Sequence, residues 1–181
     1  MTYTHISAPT QFVQAGAIRF AYRRFGQDTG VPLLFMPHFR AGMDHWDPAV
    51  TDGFAASRPV ILFDNAGVAG SSGKTPETIE AMADYAADFV GALGVSTVGA
   101  AITAWREVRG ERYSELANIP QPTLVVNGNH DIMVPTINSF ILSQKIPQAQ
   151  LIIYPDSGHG ALFQFSELFV AHGTLFLNGS T

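Results

Sequence analysis

No cysteine occurs in the 181 residues. Its absence excludes disulfides, thiolate metal ligands and a cysteine nucleophile, and leaves the redox compartment open. Charge is also scarce: Asp, Glu, Lys and Arg make up 14% of the chain, the net charge is -5, and no basic run exceeds the pair Arg23-Arg24. Nucleic acid and anionic lipid both require clustered cations, so neither is expected as a partner. No apolar run approaches the ~20 residues that cross a bilayer. The opening MTYTHISAPTQFVQ has neither a basic start nor an apolar h-region. The expectation is therefore no membrane partner and a cytoplasmic location. What the chain does have is apolar mass, with 46% hydrophobic and 11% aromatic residues, enough for one sizeable core. A single domain over residues 1–181 is expected, and no internal repeat, low-complexity segment or linker interrupts it.

Periodicity supplies the elements. In FVQAGAIRFAYRR, Phe12 to Arg24, two short extended runs flank Ala15-Gly16, and the second alternates Ile18, Phe20 and Tyr22 against Arg19, Ala21 and Arg23; this predicts a hairpin with one buried face. VPLLFMP, RPVILFDNAG, QPTLVVNGNHD and AQLIIYPDSGHG are short apolar runs that each end in Pro, Gly, Asn or Asp. Such runs suit strands covered on both faces, hence a mostly parallel sheet between helices. KTPETIEAMADYAADFVGALG predicts a helix with Thr75 as N-cap and Pro76 at the first position, with Ile79, Met82, Ala86, Phe89 and Leu93 near helical spacing and Gly94 ending it. DHWDPAVTDGFAAS, with Asp47 before Pro48, VPTINSFILSQKIP and FSELFVAHGTLFLNG predict three more helices, and AITAWREVRGERYSELA a further one weakened by Gly110.

In an open parallel sheet, chemistry collects in the loops at the carboxyl ends of the strands. Those loops read Pro37-His38-Phe39-Arg40, Asp64-Asn65-Ala66-Gly67, Asn127-Gly128-Asn129-His130-Asp131 and Asp156-Ser157-Gly158-His159-Gly160, and the last two pair an acid with a histidine. With HFRAGMDHWDP, VILFDNAGVAGSSGKTPETIEAMADYAADFVGALG, PTLVVNGNHDIMVP and LIIYPDSGHGALFQ occurring in this order, the chain resembles the α/β-hydrolase superfamily, in its bacterial serine-hydrolase branch, over most of residues 12 to 178. The resemblance implies that His159 is the catalytic histidine, that Asp131 orients it, and that the backbone N–H of Phe39 forms half of an oxyanion hole. A hydroxyl needs a base to take its proton, and the base needs an acid behind it to fix its tautomer. His38, Arg40 and Trp46, with Asp44 and His45, would rim a ligand pocket, although Asp44 and Asp47 serve equally as helix-start residues. Asp131 likewise could cap the helix after it, in place of or besides orienting His159.

The third part of the expected machinery is missing. The family sets its serine in a Gly-x-Ser-x-Gly elbow between a strand and a helix, and no such pattern occurs in the chain. After ALGVSTV the sequence passes at once to a stretch resembling the helix that follows a cap region, which implies an internal deletion near 98–101 of the elbow strand, its helix, the next strand and the cap. Gly26 to Gly30 fits Gly-x-Asp-x-Gly but reads as a turn. Ser96 misses the elbow spacing by one residue, Ser71 and Ser72 lie in a structural loop, and Ser157 sits in a loop expected to turn it away from His159. No nucleophile is assigned. A metal site from His38, His45, His130 and Asp64 lacks supporting spacing, so neither metal nor cofactor is expected.

The fold class expected is a minimal, capless α/β-hydrolase-like three-layer sandwich with an N-terminal hairpin. Losing two central strands would bare the edge of the strand at Leu33–Met36, to be filled by TLVVN in one six-stranded sheet or by a second chain. A homodimer or larger homo-oligomer is expected. Three functions remain: a relic binding a small apolar or ester-like molecule or a partner without serine hydrolysis; a weak hydrolase in which His159, oriented by Asp131, activates water; and an assembly protein or engineered minimal fold.

Overall fold

The computed structural model describes residues 3–37, 40–95 and 113–179. The chain forms two compact units, Met1–Arg106 and Glu107–Thr181. The expected readings of His38, Phe39, Ser96, the 98–101 junction and most of the helix AITAWREVRGERYSELA fall outside the described residues.

The first unit carries a four-stranded sheet of β1 (Gln11–Ala15), β2 (Ile18–Gly26), β3 (Leu33–Phe35) and β4 (Pro59–Phe63), in the order β1-β2-β4-β3. The hairpin forms as expected: Ala15 pairs with Ile18 across a two-residue turn, and Gly16 takes the positive φ of 55° that such a turn requires. β2 is an inner strand, antiparallel to both β1 and β4, while β3 runs parallel to β4. Packing of the segment around Gly70 against Ala21 corrects the expectation of one buried face. Ile18 and Phe20 point into the core, yet Ala21 on the other face is also fully buried. The 70–72 segment covers that face, with Ser71 Oγ accepting from Ala21 N at 2.9 Å and Ser72 Oγ from Arg19 N at 2.8 Å. Both serines thus stand in for a missing strand partner.

β4 is buried along its whole length, as an apolar run without alternation should be. Over it lies α2 (Ile79–Ala92), which buries Ala86, Phe89 and Val90. Phe89 stacks on Phe63 with ring centroids 4.7 Å apart and touches Phe20 at 5.5 Å, a geometry worth about 1 kcal/mol beyond the area buried. The helix starts three residues later than expected, because Thr78 and not Thr75 is its N-cap, its hydroxyl accepting from Ala81 N at 3.2 Å. Ile79 is consequently an exposed first-turn residue. α1 (Pro48–Ala55) begins as expected, with Asp47 accepting from Ala49 N at 2.8 Å and Pro48 in the first turn.

The second unit is a β-α-β unit followed by two helices. β5 (Thr123–Gly128) pairs in parallel with β6 (Ala149–Tyr154), and α3 (Thr136–Lys145) links them. After β6 come the single turn α4 (Ala161–Gln164) and α5 (Ser166–Leu177). The hydrogen-bonded ladders make two sheets, one within each unit. β3 offers little to pair with: it is three residues long and lies between Pro32 and Pro37, neither of which has an N–H to give. Among the described residues no helix is long and apolar enough to cross a membrane.

One buried group in the first unit was not legible as such. His5 is almost fully buried, its Nδ1 lies 2.8 Å from Thr51 Oγ1, and its N–H donates to Asp52 Oδ1 at 2.7 Å. Burial and then the Arg23 guanidinium hold its pKa below the ordinary 6.5, against Asp44, Asp52 and Asp47, which raise it. A histidine that is neutral in the folded state and gains a proton on unfolding contributes stability that is complete above pH 6.5 and eroded as pH falls below it. The unfolding midpoint should therefore drop on going from about pH 7.5 to about pH 5.5, and the drop should shrink in His5→Gln. An unchanged slope in that variant would assign the pH dependence to other groups.

Candidate functional site

The ends of β5 and β6 are tied together by backbone. Gly128 closes β5 so tightly against the loop after β6 that a Cβ there would run into the carbonyls of Ser157 and Gly158. His130 N donates to Ser157 O at 2.9 Å, Asn129 N to Tyr154 O at 2.9 Å, and Ser157 N to Asn129 Oδ1 at 3.3 Å. Asn127, buried, donates from Nδ2 to Val134 O and Ser139 Oγ, both at 3.1 Å, fixing the loop to α3. Tyr154 anchors the other strand end, stacked on Phe165 at 5.3 Å with its hydroxyl 3.1 Å from His172 Nδ1.

This framework brings Asp131 and His159 together. His159 Nδ1 lies 3.0 Å from Asp131 Oδ2. The other oxygen, Oδ1, accepts from the N–H groups of Met133 and Val134, each at 2.9 Å. Asp131 is thus both a turn-holding acceptor and a partner of histidine. It does not cap α3 itself, which starts only at Thr136 after Pro135. Burial works against ionisation of Asp131, but the N–H of Val134, the ring of His159 and the N–H of Met133 together outweigh it, and the carboxyl is held below its ordinary range. A carboxylate at Oδ2 keeps the proton on Nδ1, leaving the Nε2 lone pair available as a base. The side chains differ sharply in access, His159 being 54% exposed and Asp131 only 2%. Nε2 has no hydrogen-bond partner among the described residues.

Of the predicted pocket-rim residues in the first unit, local structure employs Trp46, Asp44 and His45. Trp46 packs edge-on against Phe35 at 4.9 Å. Asp44 accepts from Arg23 Nη1 at 2.6 Å, and His45 Nδ1 accepts from Gly42 N at 3.2 Å. Arg40 is exposed in the turn before Gly42. Asp64, weighed as a metal ligand, is a buried loop clamp: Oδ1 accepts from Met43 N at 2.8 Å and Oδ2 from Gly70 N at 3.0 Å. Its place directly after the buried run PVILF, among small residues, was the available signal for that role. Ser157 is buried and donates to Tyr154 O at 3.0 Å, turned into the loop as expected. Among the described residues no three His, Asp or Glu side chains gather as a metal site would require.

Comparison with known proteins gives concordant results. The family model described as alpha/beta hydrolase fold matches residues 94–166. A pimeloyl-[acyl-carrier protein] methyl ester esterase of Nitrosomonas europaea is 33% identical over 58 residues, 32% of this chain and 23% of that protein. The chain spans less than a quarter of the length of the curated relatives it matches. Among solved structures, an alpha/beta hydrolase fold protein from Chitinophaga pinensis aligns over 97% of this chain and 99% of its own with a TM-score of 0.83 and 25% identity. A serine hydrolase involved in carbazole degradation shares the fold over 94% of this chain and 99% of its own, with a TM-score of 0.78 and 16% identity.

Proposed function

Because the chain belongs to the α/β-hydrolase superfamily, we propose that it is a member without serine-dependent acyl transfer that binds a small apolar or ester-like molecule beside His159 and Asp131. One observation carries this reading: an oriented Asp131–His159 pair in a chain that contains no Gly-x-Ser-x-Gly. The serines in the described loops have other tasks, since Ser71 and Ser72 complete the edge of β2 and Ser157 is buried against Tyr154 O. The ester class is supported by the methyl ester esterase named above, which matches part of this chain.

A fluorophosphonate probe reacts with a serine activated by a base and an oxyanion hole. It is expected to leave the protein unlabelled by intact-mass measurement. Stoichiometric modification of one serine, lost in His159→Ala, would overturn the reading, with Ser96 the first residue to map.

The exposure of His159 favours a second reading, in which the pair activates water. Nε2 takes a proton from water as the oxygen adds to the ester carbonyl carbon. The tetrahedral adduct then expels the alkoxide, and the imidazolium returns the proton to it, giving acid and alcohol with the histidine restored. Such a route forgoes the covalent intermediate, and a missing oxyanion donor alone typically costs about 10²–10³ in rate, so turnover would be slow.

A further inference from the structure

His159 is presented for chemistry at one atom. The loop that carries it is held on both sides, Ser157 N donating to Asn129 Oδ1 at 3.3 Å and Gly158 N to Gln164 Oε1 at 3.1 Å. Asp131 Oδ2, 3.0 Å from Nδ1, fixes the ring and leaves the lone pair on its second nitrogen. The side chain is 54% exposed, and among the described residues no hydrogen bond ends on Nε2. A base that works through water needs that water held between itself and the carbonyl, a third body to be ordered. Direct attack by Nε2 needs only open approach, and histidine is among the side chains that form covalent intermediates.

We propose that Nε2 of His159 is the nucleophile of this site and takes an acyl group from thioesters and aryl esters. The proposal rests on the Asp131–His159 pair of the reading above and puts a covalent step in place of proton transfer from water. The Nε2 lone pair adds to the carbonyl carbon, the C=O π pair moves to oxygen, and collapse of the adduct expels thiolate or phenolate with its bonding pair. The ring is then an N-acyl-imidazolium, its Nδ1–H still donated to Asp131, whose carboxylate lies against the new positive charge. Water adds to the acyl carbon and gives one proton to solvent, and the C–Nε2 bond breaks towards nitrogen, leaving a carboxylic acid and the neutral ring. The substrate class follows from what leaves the first adduct. Imidazole departs readily, so the adduct returns to reactants unless the other group leaves as well. Thiols, with a pKa of about 8.5, and phenols, of about 10, supply such groups. An alcohol, which ionises near the value of about 15.7 for water, does not, so a methyl ester binds without acylating the ring.

The test exposes the full chain briefly to a cinnamoyl thioester, to p-nitrophenyl cinnamate or to methyl cinnamate, quenches the reaction, and maps the added acyl mass on peptides. Conjugation slows release of the cinnamoyl group from nitrogen, so the adduct accumulates. The first two donors should acylate His159 and the third should not. The adduct should vanish in His159→Ala, and its formation should slow on the order of 10²-fold in Asp131→Asn, where the proton moves onto Nε2. Equal acylation of His130, exposed in the loop after β5, would reduce the reactivity to exposure and overturn the proposal. An acyl group found on a serine overturns both the proposal and the reading without serine chemistry. Turnover of the thioester that is lost in His159→Ala while no acyl-histidine forms overturns the proposal alone and leaves the water-activating reading in place. Absence of both adduct and turnover overturns it too, and leaves ligand binding as the function of the pair.

Discussion

Replacing His159 with alanine should take hydrolysis of an activated ester such as p-nitrophenyl acetate to the uncatalysed rate, a loss on the order of 10²-fold or more if the water-activating route operates. The expectation follows from the position of the imidazole as the exposed member of the pair, with its Nδ1 occupied by Asp131 at 3.0 Å. Asp131→Asn should cost on the order of 10² as well, for a different reason. The amide oxygen is needed by the two N–H groups of Met133 and Val134. Its NH₂ would then face Nδ1 and force the proton onto Nε2, where it blocks the base. Stopped assays with both variants, at equal folded fraction by circular dichroism, decide the matter. Equal rates in wild type and His159→Ala would mean nonspecific surface chemistry, leaving ligand binding as the function.

The second large effect is structural. Gly128→Ala should lower the thermal midpoint by about 5 °C, because the new Cβ collides with the backbone of Ser157 and Gly158, which cannot rotate away as a side chain would. Overpacking of this kind costs about 1–3 kcal/mol, and each kcal/mol is worth about 2–4 °C in a chain of this size. The loop carrying His159 must move, so the bond to Asp131 should loosen as well, visible as a changed imidazole resonance. Gly91→Ala is the matched control: Gly91 lies inside α2 with nothing within 4 Å of the added Cβ, and the change should be neutral or stabilising by up to ~1 kcal/mol. Equal losses at both positions would show that the contact at Gly128 is relieved at little cost.

Local signals in the sequence sufficed for features that depend on local chemistry. The hairpin turn at Gly16, the Asp47-Pro48 helix start and all four apolar runs are strands or helices as their residue types require. Asp131 and His159 were legible as candidates because each lies in the loop after an apolar run, while their pairing was an expectation that only the resemblance supplied. The start of α2 was not, because Thr75 and Thr78 carry the same capping chemistry. The choice falls to Thr78 through tertiary packing: Lys74 and Thr75 are held against the turn at Gly67, where even a Cβ would strike their backbone. Burial of Ala21 and His5 was hidden for the same reason, since the segments that cover them lie about 50 residues away in sequence. Gly128 looked like ordinary turn punctuation, and its closeness to Ser157 exists only once β5 and β6 lie side by side.

The double engagement of Asp131 bears on inheritance. One oxygen holds the turn through Met133 and Val134, the other holds His159, so the carboxylate serves the fold even where no reaction is required. His159, more than half exposed and bonded only through Nδ1 among the described residues, has no comparable claim. In a lineage released from catalysis, drift would reach the histidine first and the aspartate last. An aspartate in this loop is therefore weak testimony to activity in any descendant, and the histidine beside it is the stronger witness.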